Sequence, residues 1–132
     1  AQLLCQDDPE KTLIVTSRRA PARRARALAM RGARVFRLAE RNGRIPWSAL
    51  LRKLASLGIQ SVLIEGGAAI AAAALKEKAV DKILFFYAPK IIGGDGRPMI
   101  DGLGIKSVKR SLALQHLGVT RSGDDVMISG YL

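Results

Sequence analysis

The residues of this chain best suited to chemistry lie together in Ser61-Val-Leu-Ile-Glu-Gly-Gly-Ala-Ala-Ile-Ala. An apolar run ends in a carboxylate, Glu65, and two glycines and a series of small helix formers follow. The pattern predicts a buried strand over Ser61 to Glu65, a sharp turn at Gly66-Gly67 and a helix from about Ala68 to Lys78. The first amides of such a helix have no intrahelical partner and carry the positive end of its dipole. With no side chain on either glycine, a phosphate can reach them. Glu65 would stand at the carboxyl end of a strand, where open α/β sheets place their ligands. On residues alone two readings of Glu65 stay open. It is a carboxylate satisfied by neighbouring amides, because a buried charge needs partners, or it accepts hydrogen bonds from donors on a substrate ring. The turn lacks the Lys-Ser/Thr ending of a Walker loop and does not fit G-x-G-x-x-G, so a purely structural turn is the competing reading.

Other polar groups read more plainly. Lys90 follows a strand and could meet a phosphate, but a solvated loop lysine is the simpler account. Asp95 and Arg97 suit a turn contact, and Asp81 suits a cap or turn. His116 falls in a hairpin strand as a packed or surface residue. Cys5 shows no activating pattern, and a chain with one Cys and one His can build neither an internal disulfide nor a zinc site from those residue types.

The elements that must position these groups follow from periodicity and punctuation. Residues Ala1 to Lys11 read as an irregular lead-in with an Asp7-Asp8-Pro9 turn. Thr12 to Thr16 is a β-branched strand. A helix capped by Ser17 or opened by Pro21 runs over Ala22 to Arg31 and stops at Gly32. A strand follows over Arg34 to Leu38, then a turn at Asn42-Gly43. Beyond Pro46, Trp47, Leu50, Leu51, Leu54 and Leu57 recur at helical spacing, and Gly58 closes that helix. After the opening stretch, Lys82 to Ala88 is a continuous apolar strand, expected near the middle of the sheet. Pro89 to Gly104 is a long glycine loop of a length that is often functional. Ser111 to Val119 and Asp125 to Leu132, joined through Arg121-Ser122-Gly123-Asp124, form a β-hairpin. Alternating strands and helices predict an α/β fold: a mostly parallel sheet flanked by helices, with a C-terminal antiparallel hairpin.

The 132 residues suffice for one domain, and a hydrophobic fraction of 48% can fill a core. No apolar run is long enough to span a bilayer and no signal-peptide pattern is present. With the single cysteine, this gives a cytoplasmic expectation with no membrane partner. The net charge is +11, and ten arginines between Arg18 and Arg44 against one acid, Glu40, supply +9 of it. That stretch is either a solvated helix face with non-specific polyanion affinity or a surface for nucleic acid or phosphorylated ligands.

Four motifs in series carry a resemblance: Ser61-Val-Leu-Ile-Glu-Gly-Gly, Val80-Asp81-Lys82, Tyr87-Ala88-Pro89-Lys90-Ile-Ile-Gly-Gly and Gly96-Arg97-Pro98. In letters and spacing the chain resembles the carboxyl-terminal reductase domain of the bifunctional riboflavin-biosynthesis deaminase-reductase, from roughly Thr12 onward. The resemblance implies a dihydrofolate-reductase-like fold and a homodimer. It implies NADPH-dependent reduction of a small-molecule substrate, 5-amino-6-(5-phosphoribosylamino)uracil, to its ribityl form. It makes Glu65 a substrate contact. It makes Gly66, Gly67, Ala68, Ala69, Ile70, Ala71, Ala72 and Ala73 the cofactor site, and assigns neither a catalytic residue nor a metal ligand. Related folds also carry a cis peptide between such paired glycines. The family's earlier Ser-Leu-Asp-Gly-like segment and its zinc-dependent deaminase half have no counterpart in these residues. The chain, which opens at Ala1, is therefore read as one domain, 1–132, the C-terminal portion of a reductase domain holding one wall of its active site. The alternatives are a reductase of the same fold with another pyrimidine or pteridine-like substrate, and a basic nucleic-acid-binding module.

Overall fold

Leu13-Ile-Val-Thr-Ser and Arg34-Val-Phe-Arg-Leu, two β-rich runs separated by an alanine-arginine helix, form the parallel β-α-β unit that such an order favours. The computed structural model describes residues 8–132; Cys5 and Asp7 lie outside them. The chain divides into two compact units, Ala1–Val62 and Leu63–Leu132, and each is taken by itself.

In the first unit β1 (Leu13–Ser17) pairs in parallel with β2 (Arg34–Leu38), Val15 opposite Phe36. Helix α1 (Ala22–Ala29) connects them with Pro21 as N-cap, and Gly32, at φ +91°, releases the chain into β2. Ala25 and Leu28 form the half-buried side of α1, while Arg23, Arg24 and Arg26 are exposed. Two of those arginines stand in the first turn, which holds no acidic residue and no side-chain cap. A cation at that end opposes the helix dipole at a cost of about 0.3–1 kcal/mol. Asn42 and Gly43 both take positive φ, 52° and 73°, and Arg41 and Arg44 bridge across them, the type I′ pattern. Helix α2 (Trp47–Ala55) follows Pro46. Its Lys53 lies over the Phe36 ring of β2, Nζ to centroid 4.2 Å.

The second unit holds α3 (Ala68–Lys76) and an antiparallel sheet of β3 (Lys82–Tyr87), β4 (Gln115–Ser122) and β5 (Asp125–Tyr131) in the order β3-β5-β4. β5 is central and hydrogen-bonds both neighbours, Ile128 facing Phe85 on one side and Val119 on the other. The hairpin turns tightly at Gly123, φ +63°. A register shift between Gln115 and Gly118 marks a bulge. It places His116 at φ +50° with its ring edge-on to Tyr131.

The α/β class, the three helices and the hairpin match the pattern of the sequence, and four expectations are corrected. Ser61 to Glu65 joins no ladder; the segment is unpaired, with Val62 and Leu63 exposed at 44% and 72%. Neither sheet takes it up, and a strand exists only where neighbouring backbone pairs with it. Parallel pairing is confined to β1 and β2. β3 is an edge strand rather than a central one. Its side chains alternate, Ile83 and Phe85 half-buried, Leu84 and Phe86 exposed, as in a strand with one face covered. Finally, the buried apolar residues among those described are Ala33, Ala72, Ala74 and Leu75.

β5 leaves no room at its buried Gly130. A Cβ there would stand 2.9 Å from Leu114 Cβ. Gly130→Ala is expected to lower the unfolding free energy by about 1–3 kcal/mol through overpacking. Gly102→Ala, with nothing within 4 Å and no positive φ, is expected to change it little. Urea denaturation of the two variants checks the contrast.

Candidate functional site

The glycine turn is built by backbone geometry. Gly67 is the N-cap of α3 at φ 70°, ψ 135°, a conformation open to glycine and strained for any side chain. Its carbonyl accepts from the Ile70 and Ala71 amides at 3.0 and 3.1 Å, which starts the helix. No side chain caps this terminus and no acid lies in its first turn. The outermost amides are therefore left to solvent or to a ligand. A Cβ added at Gly66 or Gly67 meets nothing within 4 Å, so the approach to those amides is open. An anionic group fits such a cradle. The Gly66–Gly67 peptide is trans, as are all those described. The unusual backbone at this position is the left-handed φ of Gly67.

Glu65 precedes this turn and is exposed. It has no ion-pair partner among the described residues. Neighbouring amides do not consume its carboxylate, and solvent removes the desolvation cost that burial would have imposed. Both its oxygens are free to accept.

Within α3, Ala72, Ala74 and Leu75 are buried and Ala71 and Ala73 are half-buried. Ala69 and Ile70 are exposed beside the turn. The cofactor residues read from the sequence thus divide. Gly66, Gly67, Ala68, Ala69 and Ile70 line the open end of the helix; Ala71, Ala72 and Ala73 form its packed body.

One contact was not legible in the sequence. The Asp101 amide donates to the Ala68 carbonyl at 3.1 Å, which ties the long glycine loop to the first turn of α3. A main-chain bond of this kind leaves no residue-type signal. Elsewhere in the loop Ile91 and Ile92 are exposed at 102% and 76%. Lys90 is exposed, its amide donating to Ala88 at 2.8 Å. Asp95 and Arg97 are both exposed and form no ion pair with each other, so the turn contact expected between them is absent. Asp81 acts through its carbonyl, which accepts from the Leu132 amide at 3.0 Å and secures the chain end beside β3. Among the described residues no group of three or more His, Cys, Asp or Glu side chains could hold a metal ion.

The chain is similar to known proteins. The riboflavin biosynthesis protein RibD of Bacillus amyloliquefaciens is 34% identical over 124 residues, 93% of this chain and 33% of that protein. The 2,5-diamino-6-ribosylamino-4(3H)-pyrimidinone 5′-phosphate reductase of Aquifex aeolicus is 33% identical over 105 residues, 79% of this chain and 46% of that one. The chain therefore spans a third to just under half of these relatives. Among solved structures, Acinetobacter baumannii RibD superposes with a TM-score of 0.75 at 22% identity, over 95% of this chain and 32% of that one. A pyrimidine reductase-like protein of Corynebacterium diphtheriae gives 0.69 at 22% identity, over 90% and 48%. These two likenesses establish a shared fold. The model of the RibD C-terminal domain family matches residues 1–128, and the chain belongs to that family.

Proposed function

We propose that this chain supplies the cofactor turn and a substrate-recognising carboxylate of an NADPH-dependent reductase. The reaction converts 5-amino-6-(5-phosphoribosylamino)uracil to its ribityl product in riboflavin biosynthesis. The observation that carries the reading is the open, uncapped N-terminus of α3, entered through Gly66-Gly67 directly after an exposed, unpartnered Glu65. When bound, NADPH supplies the hydride that reduces the sugar carbon. The amides at Gly67, Ala68 and Ala69 hold its phosphate groups against the helix dipole. The Asp101–Ala68 bond keeps that part of the glycine loop against the turn. Glu65 orients the substrate and fixes its distance from the cofactor, which is the protein's chief contribution to a hydride transfer. A carboxylate matches the adjacent N1–H and 6-amino N–H donors of the uracil.

A second substrate is favoured by the Aquifex aeolicus relative and by one of the same name from Methanothermobacter thermautotrophicus, 31% identical over 123 residues. It is 2,5-diamino-6-ribosylamino-4(3H)-pyrimidinone 5′-phosphate, which offers a two-donor pair at a different edge of the ring, N3–H and the 2-amino group. Turnover of each pyrimidine by the full-length protein separates the two. We further infer a cytoplasmic homodimer. No helix of the described residues is long and apolar enough to cross a membrane. The sheet's outer strands β3 and β4 each leave one edge unpaired among the described residues, available to a second copy. Sedimentation of the full-length protein checks the association.

The two glycines separate fold from function. Gly67→Ala forces a side chain into a left-handed backbone and is expected to lower stability by about 1–3 kcal/mol, taking NADPH affinity with it. Gly66→Ala has room and no positive φ. Its Cβ stands where a ligand must approach, so NADPH affinity is expected to fall with an unchanged melting temperature. Calorimetric titration and thermal melts of the full-length protein test both. Unchanged affinity in Gly66→Ala removes the cofactor from this turn.

Glu65→Gln exchanges one acceptor oxygen for a donor at a site that needs two acceptors. The expected result is a KM for the pyrimidine raised at least tenfold, the scale of one charged hydrogen bond, with the NADPH dissociation constant unchanged. Equal losses for both ligands contradict the division of roles.

A further inference from the structure

We propose that the arginine surface of the first unit is a sequence-blind docking surface for double-helical nucleic acid, separate from the reductase site. The charge is concentrated. Ten arginines and one acid lie between Arg18 and Arg44, with no lysine, and give +9 of the chain's +11. The fold does not consume it. Glu40 pairs with Arg19 at 3.5 Å. Arg37 spends its guanidinium on the Arg18 and Ala20 carbonyls, and Arg34 lies over Phe36 at 5.8 Å. Arg18, Arg23, Arg24, Arg26, Arg41 and Arg44 are exposed and have no acidic partner among the described residues.

Their placement works against the helix that carries half of them. Arg23, Arg24 and Arg26 occupy the solvent arc of α1 opposite Ala25 and Leu28. Two of the three sit at the positive end of the dipole with no carboxylate in that turn. Arg23 and Arg26, three positions apart, also repel each other. A sequence chosen for helix stability places acids there, and local rules are broken most often where function requires it. A polyanion relieves each of these repulsions at once. Guanidinium groups bind phosphate in two-point fashion, which suits a phosphodiester backbone. The one aromatic ring of the stretch, Phe36, is covered by Arg34 and Lys53. No platform is left for stacking unpaired bases, so a duplex read through its backbone fits better than a single strand.

Fluorescence anisotropy of the full-length protein with labelled duplexes of about 20 base pairs, one DNA and one RNA, tests this across about 50 to 200 mM KCl. With six arginines engaged, affinity is expected to fall about a thousandfold over that range, with no preference among sequences. The DNA and RNA arms identify which duplex form the surface fits. Replacing Arg23, Arg24 and Arg26 together by Gln is expected to make the log–log salt slope shallower by about three, with reductase turnover unchanged. Arg41→Gln with Arg44→Gln is a second variant outside the helix, expected to lower the slope by about two. Absence of binding at the lowest salt overturns the proposal. So does an unchanged slope in both variants, or a raised KM for the phosphorylated pyrimidine without duplex binding, which would make the surface a collector of small phosphorylated ligands.

Discussion

A single backbone conformation organises the second unit's candidate site. At Gly67 the chain leaves an extended, unpaired segment and enters α3 with φ 70° and ψ 135°. A residue with a Cβ holds that conformation only under strain. The helix is entered through this glycine backbone, and no side chain caps it. The open anion cradle and the turn are thus consequences of the same dihedral angles. The Asp101–Ala68 hydrogen bond then makes the turn a fixed point for the long loop, so one helix terminus positions both the amides and the segment beside them.

Locally encoded features are the ones that could be read from the residues. Pro21 and Pro46 stand at the starts of α1 and α2. Gly32 and Gly58 follow α1 and α2 in positive φ, and Asn42-Gly43 makes its turn. Each of these depends on a few dihedral angles that Gly, Pro or Asn sets within one or two residues. The strands were less legible, because pairing is a property of two segments. Ser61 to Glu65 has the composition of a strand and no ladder, and β3 has the composition of a central strand and an edge position. Hydrophobic content reports what a segment could bury; it carries no information about which neighbour arrives.

The candidate site divides along the same line. Glu65 and the glycine pair could be singled out from the residues as a carboxylate and two side-chain-free positions at a helix start, with a satisfied Glu and a structural turn as the competing readings. The family resemblance gave them separate roles. Ala71, Ala72 and Ala73 came with that resemblance, and burial places them in the body of the helix, where small size serves packing. The Asp101 contact was invisible because it uses an amide that every non-proline residue possesses.

The two units handle charge in opposite ways, and this bears on what each can bind. The first turn of α3 has neither acid nor base, and its dipole is free to act on an approaching anion. The first turn of α1 already holds two cations at the same kind of terminus. A small anion at the start of α3 would meet backbone amides with no charged side chain in that turn and the Glu65 carboxylate just before it, so geometry weighs more than summed charge. At α1 the long, mobile guanidinium groups stand in front of the backbone, and the attraction is summed over several arginines. Such a surface selects for charge density and length more than for shape. The two proposals thus rest on different physics, backbone amides at one helix start and summed side-chain charge at the other, and neither depends on the other.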